Sequence, residues 1–267
     1  MLAFAANSLL CRMALVESDI SPGMFTAIRL VSGAVMLLVI TRVISVPSVK
    51  AGSWKGALAL FSYAAAFSYA YISMSTGTGA LLLFGSVQVT MICVGLLNGE
   101  RFTRIQVVGF LLAITGLVIL LLPGLSAPPL WGATLMLCAG FAWGVYSIMG
   151  RGAKSGTAVT SGNFIYSLAF VALLLACLSV TGSDVTVDDT GLMLAIASGA
   201  IASGMGYAIW YQVLPHIKAT NAATIQLSVP VLAVLAGWLF LSEAITLQIV
   251  FASFAILGGI AVVIRSR

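Results

Sequence analysis

Apolar residues in this chain neither alternate nor trace a helical stripe. They run together for about 17–24 residues, broken by short polar punctuation. The runs predict ten membrane-spanning helices near residues 1–16, 23–44, 56–74, 77–98, 103–122, 129–150, 158–181, 190–214, 218–241 and 245–264. The breaks are ordinary turn chemistry: Ser21-Pro22-Gly23, Pro47 with Lys50, Pro123-Gly124, Pro128-Pro129, and Pro215 before His216. The first run is short, as if a turn or two of helix preceded it. Runs of this length suit helices and not membrane strands, which would alternate over about ten residues.

Composition supports lipid as the solvent. The 267 residues are 61% hydrophobic and 7% charged, with a mean hydropathy of +1.15. A soluble domain of this size needs more polar cover, so a soluble enzyme or nucleic-acid-binding module is excluded. The net charge of +5 then reads as topology. Arg42, Lys50 and Lys55 fall between spans 2 and 3, and Arg101 and Arg104 between 4 and 5. Arg151 and Lys154 lie between 6 and 7, Lys218 between 8 and 9, and Arg265 and Arg267 at the tail. The alternate loops hold Glu17, Asp19, Asp184, Asp188, Asp189 and Glu243, with no Lys or Arg. Positive loops stay in the cytoplasm, which puts both termini inside, most naturally in a bacterial inner membrane. A nine-span layout would scramble this separation.

A shift of 143 residues brings Glu100 onto Glu243 and Thr103 onto Thr246, and overlays residues 56–120 on 199–263 without a gap. Gly56/Gly199, Ala65/Ala208, Leu96/Leu239 and Gly116/Gly259 match on the way. Residues 1–125 (spans 1–5) and 126–267 (spans 6–10) thus form two repeats. Five spans is an odd number, so the second repeat is inverted relative to the first, the arrangement that underlies alternating access. The fold expected is an all-α integral membrane protein of ten transmembrane helices in two inverted five-helix repeats. Glu100 and Glu243 are expected to sit near the N-termini of spans 5 and 10, where the helix dipole favours an anion.

Three stretches carry a family resemblance: "ISPGMFTAIRLVSGAVMLLV" (20–39), "GALLLFGSVQVTMICVGLLNGERFTRIQVVGFLLAITGLVILL" (79–121) and "AATIQLSVPVLAVLAGWLFLSEAITLQIVFASFAILGGIAVVI" (222–264). The chain resembles the drug/metabolite transporter superfamily, in its ten-helix branch with two EamA-type domains. The pattern is a small-residue helix start, a mid-helix Pro, then Glu, and a Gly-rich last helix. The first half departs from it with Val87 where the second has Pro230, and span 1 carries Ala6-Asn7 where many members have Trp-Gly. The resemblance implies a substrate cavity between spans 1–4 and 6–9, with spans 5 and 10 peripheral, and often an export role.

Polar and aromatic side chains at membrane depth are costly unless they face a cavity or a partner helix. The candidates for substrate contact are Asn7, Tyr63, Phe67, Gln88, Trp143, Tyr146, Asn163, Tyr207, Trp210, Gln226, Ser228 and Pro230. Tyr63 and Phe67, like Tyr207 and Tyr211, are four apart and share a helix face. Two readings stay open for each: a pocket with a few polar anchors, or interhelical hydrogen bonds and interfacial aromatics. Pro230 cannot donate to the Gln226 carbonyl, which frees an acceptor for substrate or merely shapes a kink. Arg29, about a turn and a half into span 2, is a candidate contact for a carboxylate or phosphate. The competing reading is an arginine snorkelling to the external interface, paired with Asp19 or Glu17, and Arg12 reads the same way. His216 reads as a solvated loop residue. The close pairs Gly95/Gly99 and Gly140/Gly144 fit packing within the monomer or in a homodimer, and a monomer suffices.

Other chemistry finds no support in the pattern. One His in a loop and no acid at membrane depth leave no catalytic centre and no metal site, so no enzyme and no cofactor are expected. The four cysteines fall inside apolar runs and read as small buried residues. Nothing at the N-terminus has the form of a cleaved signal peptide. The small multidrug-resistance relatives in the superfamily carry an intramembrane Glu in their first helix, and this chain does not, which disfavours proton-coupled efflux of lipophilic cations. The reading is a secondary transporter of small metabolites, exporting amino acids or related polar or amphipathic compounds. Its partners are the substrate and the bilayer, with no nucleic acid. The alternatives are a multidrug efflux carrier of the same superfamily or a non-transporting scaffold or channel.

Overall fold

The computed structural model describes residues 1–45, 51–97, 99, 101, 103–122, 127–150, 155–182, 185–213, 216 and 225–265. Among these there is no strand. The helices are α1 (Leu2–Glu17), α2 (Pro22–Val43), α3 (Trp54–Ala70), α4 (Thr76–Leu97), α5 (Arg104–Leu121), α6 (Leu130–Met149), α7 (Gly156–Thr181), α8 (Asp189–Val213), α9 (Ser228–Leu241) and α10 (Leu247–Arg265). Seven of them, all but α1, α3 and α9, are long and apolar enough to cross a membrane.

Local chemistry starts these helices where short polar residues stand. Ser53 accepts from the Gly56 amide at 3.0 Å, Ser155 from Ala158 at 3.3 Å and Asp188 from Gly191 at 3.2 Å. Pro22 follows the Ser21 cap, where its missing N–H costs nothing. Thr103 and Gln106 form a capping box on α5. Thr246, which the 143-residue shift matches to Thr103, takes the Ile249 amide at 3.3 Å. Helix α8 is α-helical over Asp189–Ile196 and Gly206–Val213 but π-helical over Ala197–Met205.

Glycine sets the closest helix contacts. α5 and α10 run antiparallel, Gly109 against the Gly259 carbonyl and Gly116 against Ala255 and Ile256. Gly140 and Gly144 of α6 lie on Ser86 and Thr90 of α4, so that pair serves packing within the chain. Gly199 meets α2 at the Arg29 carbonyl and Ser32. Away from these seams, Val31, Val35 and Val39 of α2 form an outward apolar row.

Several expectations need correction. Only Cys11 is buried; Cys93, Cys138 and Cys177 are exposed on the outer face, which costs little for a weakly polar thiol facing lipid. Glu243 does not sit on the N-terminus of α10, which Thr246 caps. Its carboxylate reaches across to α4, accepting from the Thr76 amide at 2.8 Å and the Thr76 hydroxyl at 3.2 Å. An anion still meets a helix N-terminus, but of a different helix. Arg12 donates to the Tyr71 and Ile72 carbonyls at 2.7 and 2.9 Å and lies 3.6 Å from Glu243, so its acid is neither Asp19 nor Glu17. Glu100 lies outside the described residues, as do 218–224 of the ninth predicted span.

Candidate functional site

The middle turns of α1, α3 and α8 gather around a buried arginine of α2. Arg29 is 1% exposed. Its Nε donates to Ser203 Oγ of α8 at 3.3 Å and its Nη2 to the Tyr63 hydroxyl of α3 at 2.9 Å. The guanidinium lies over the Tyr63 and Phe67 rings, 5.1 and 5.0 Å from their centroids. Nη1 is buried with no hydrogen-bond partner. The snorkelling expectation is therefore wrong. The side chain turns inward because Thr26, Arg29, Gly33, Leu37 and Thr41 share the protein-facing side of α2, opposite the valine row.

Asn7 extends the network. Its Nδ2 donates to the Tyr63 hydroxyl at 3.2 Å, and its Oδ1 accepts from Ser198 of α8 at 2.7 Å. Ser198 and Ser203 are five apart, and π winding, with i to i+5 hydrogen bonds, stacks residues of that spacing. The π segment thus turns one serine to Asn7 and the other to Arg29. Every partner of this cation is neutral. Among the described residues the one ion pair is Arg12–Glu243.

A narrow cavity lies beside the network, lined by Phe4, Asn7, Ser8, Tyr63, Phe67, Leu83, Phe84, Trp143 and Tyr207. Trp143 is its central ring, 4.8 Å from Tyr63 and 5.1 Å from Tyr207. Trp143 also stacks on Tyr146 at 5.4 Å, and Tyr146 belongs to a second cavity with Ser53, Gly56, Gly156, Thr160, Asn163 and Tyr211. There Asn163 Nδ2 donates to the Tyr146 hydroxyl at 3.5 Å, and Asn163 Oδ1 accepts from the Ser53 amide at 2.8 Å. The Trp143–Tyr146 stack stands between the two spaces.

Of the residues singled out in the sequence, Asn7, Tyr63, Phe67, Trp143 and Tyr207 line the inner cavity, Arg29 packs on its Tyr63 and Phe67 walls without lining it, and Tyr146 and Asn163 line the second. Trp210 touches the group only through Phe4, at 6.2 Å. Gln88 is buried on α4, one turn beyond the cavity residue Phe84, but lines neither cavity described here. Gln226, Ser228 and Pro230 also lie apart from both cavities. Pro230 sits in the first turn of α9, after a turn at Leu227, and Ser228 Oγ donates to the Ile225 carbonyl at 2.7 Å. The helix is interrupted at Leu227, ahead of the proline, and the serine takes up part of the acceptor capacity that the break leaves. His216 is exposed. Phe4, Ser198 and Ser203 were not foreseen. The small-residue run Ser198-Gly199 to Ser203-Gly204 was the one sequence signal for the two serines.

The family model of the EamA-like transporter family matches residues 130–265. An uncharacterized Pseudomonas aeruginosa protein is 54% identical over 100% of this chain and 92% of its own length. A probable amino-acid metabolite efflux pump of Escherichia coli is 28% identical over 65% of this chain and 62% of its own. The threonine/homoserine exporter RhtA of Salmonella typhimurium is 29% identical over 63% and 57%. A crystal structure at 21% identity covers 98% of this chain and 95% of that one with a TM-score of 0.68, and shares its fold. With the family model on half of the chain and a full-length relative at this identity, the chain belongs to the EamA-like transporter family of the drug/metabolite transporters, and is an integral membrane protein.

Proposed function

We propose that the protein is a secondary transporter that exports small amphipathic metabolites, amino acids foremost, across a bacterial inner membrane. It works by alternating access, with residues 1–125 and 126–267 as two inverted repeats and both termini cytoplasmic. The observation that carries this is the inner cavity itself. Asn7, Tyr63 and Phe67 come from the first half and Trp143 and Tyr207 from the second, so motion between halves opens or closes it. The helix pairings support the inverted repeat. α3 against α6 has its counterpart in α8 against α1, α4 against α6 in α9 against α1, and α2 against α8 in α7 against α3. Gln106 of α5 donates to Val263 of α10 at 3.4 Å, and Gln248 of α10 donates back to Ile119 of α5 at 3.0 Å. The names of the efflux relatives point to amino-acid-like cargo.

Uptake and counterflow in proteoliposomes against a metabolite panel, with and without a pH gradient, test the reading. The expected result is saturable exchange of at least one amino-acid-like solute. Absence of flux for every solute under both conditions would remove it. Lys50→Cys and Thr186→Cys should be labelled from opposite sides of the membrane; labelling of both from one side contradicts ten spans.

A further inference from the structure

We propose that Arg29 and the Tyr63 hydroxyl form the anchor for a single substrate carboxylate, which makes the cargo a solute with one carboxylate on an apolar body. The proposal rests on the transporter reading above and names its substrate class.

The argument starts from charge. A guanidinium does not lose its proton in a protein, and it carries five N–H donors. Arg29 is 1% exposed, and a buried cation is costly unless it is paired and fully hydrogen-bonded. Its partners here are two hydroxyls and two ring faces, and Nη1 is left without an acceptor. Nothing in that set is negative. An anion arriving from solution supplies what the protein withholds.

Tyr63 connects the cation to the cavity. Its hydroxyl accepts from Arg29 Nη2 and from Asn7 Nδ2. Both lone pairs are used, and the O–H is left to donate, with the Tyr207 hydroxyl as the neighbour that a ligand oxygen would replace. The same side chain lines the cavity, as does the ring of Phe67 beneath the guanidinium. As the cavity widens, a carboxylate entering there takes the Tyr63 proton donor with one oxygen and, past the Tyr63 and Phe67 side chains that screen Arg29 from the cavity in this conformation, reaches Nη1 with the other. The field of the arginine strengthens the phenol as a donor. The remainder of the wall sets the rest of the molecule. Phe4, Leu83, Phe84, Trp143 and Tyr207 suit an apolar or aromatic body, and an ammonium group finds ring faces rather than acids.

One cation also limits the ligand to one negative charge. A second carboxylate or a phosphate dianion would be buried among apolar side chains without a partner, at a cost that single-site neutralisation does not cover.

The experiment uses the full-length protein and two readouts. In proteoliposomes, counterflow is measured with L-leucine and L-phenylalanine against leucinamide and phenylalaninamide, and with succinate. In detergent, the thermal midpoint is followed with the same five compounds. The expected result is that the two amino acids exchange and raise the midpoint, while the amides and succinate do neither. Arg29→Gln should raise KM for the acids by roughly 10- to 100-fold, the scale of one charge-assisted interaction. Tyr63→Phe keeps the cation and should raise KM by about 10-fold, and Arg29→Lys should recover part of the loss. Tyr63→Phe and Arg29→Lys keep the test open if Arg29→Gln does not fold. Equal handling of acids and amides by the wild type would overturn the anchor, as would unchanged KM in Arg29→Gln, Arg29→Lys and Tyr63→Phe. A midpoint shift with the acids and no flux of any solute would sustain the anchor and sink the transporter reading. Absence of both flux and a midpoint shift with either acid would overturn the anchor, and the transporter reading would fall with it only if the whole metabolite panel also gave no flux.

Discussion

Arg12 and Arg29 look alike in the sequence, as lone cations near the outer ends of apolar runs, yet the fold treats them in opposite ways. Arg12 is given an anionic partner and hydrogen-bond acceptors: two carbonyls at 2.7 and 2.9 Å and the Glu243 carboxylate at 3.6 Å. Arg29 is buried deeper and given only neutral partners, with Nη1 bare. The first arrangement joins α1 and the α9–α10 connection to the start of α4 and completes its own electrostatics. The second is incomplete without something the chain does not carry. A cation placed to hold helices together is satisfied from within, and one placed to recognise is left short.

The sharpest way to break this comparison is to turn Arg29 into a second Arg12. Ser203→Asp puts a carboxylate beside Arg29 Nε, where the serine hydroxyl now lies at 3.3 Å. The internal acid should occupy the cation, leaving folding intact and lowering carboxylate transport by about 100-fold or more. Ser203→Asn has nearly the same shape without the charge and should lose far less. Equal losses for the two variants, measured by counterflow, would mean that bulk and not charge governs the site.

The converse change opens the satisfied pair. Glu243→Ala removes the acceptor of the Thr76 amide and hydroxyl and leaves Arg12 with carbonyls alone. The expected destabilisation is about 2–3 kcal/mol, with about 1 kcal/mol for Glu243→Gln, which keeps an oxygen for the amide. Unfolding in detergent measures both. Substrate KM in the folded fraction should stay put, because this cluster lines neither cavity.

How much of this was legible follows from the residues involved. Span positions and the shared helix face of Tyr63 and Phe67 depend on neighbours in sequence or on helical spacing and were legible; the caps at Ser53, Thr103, Ser155 and Asp188 are equally local but were not singled out as caps. Arg29 was placed in the right helix but turned the wrong way. A helix that is apolar all round gives little account of its rotation. The clue was the contrast between the row Val31, Val35, Val39 and the row Thr26, Arg29, Gly33, Thr41, since small and polar residues mark the packed side in lipid. Glu243 could not have been assigned to α4, because its partner Thr76 is 167 positions away. The π winding that aims Ser198 and Ser203 likewise has no local signature.

A smaller effect tests whether the Arg29 network needs its outer links. Asn7→Ala cuts the bonds to Tyr63 and to Ser198. Loss of two buried neutral hydrogen bonds should cost about 1–2 kcal/mol of stability. It should also raise KM several-fold, because the Tyr63 hydroxyl is no longer fixed from both sides.

The smallest change separates stability from recognition. Thr103→Ala removes the α5 cap, which holds the Gln106 amide at 3.3 Å, and should cost about 1 kcal/mol. Helix α5 packs mainly on α10 and supplies no residue to either cavity. The thermal midpoint should therefore fall by an amount comparable with that of Asn7→Ala while KM stays at the wild-type value. If Thr103→Ala raised KM as much as Asn7→Ala, the Asn7 effect would be a loss of general rigidity. The distinction between a satisfied and an unsatisfied arginine would then have to rest on Ser203→Asp alone.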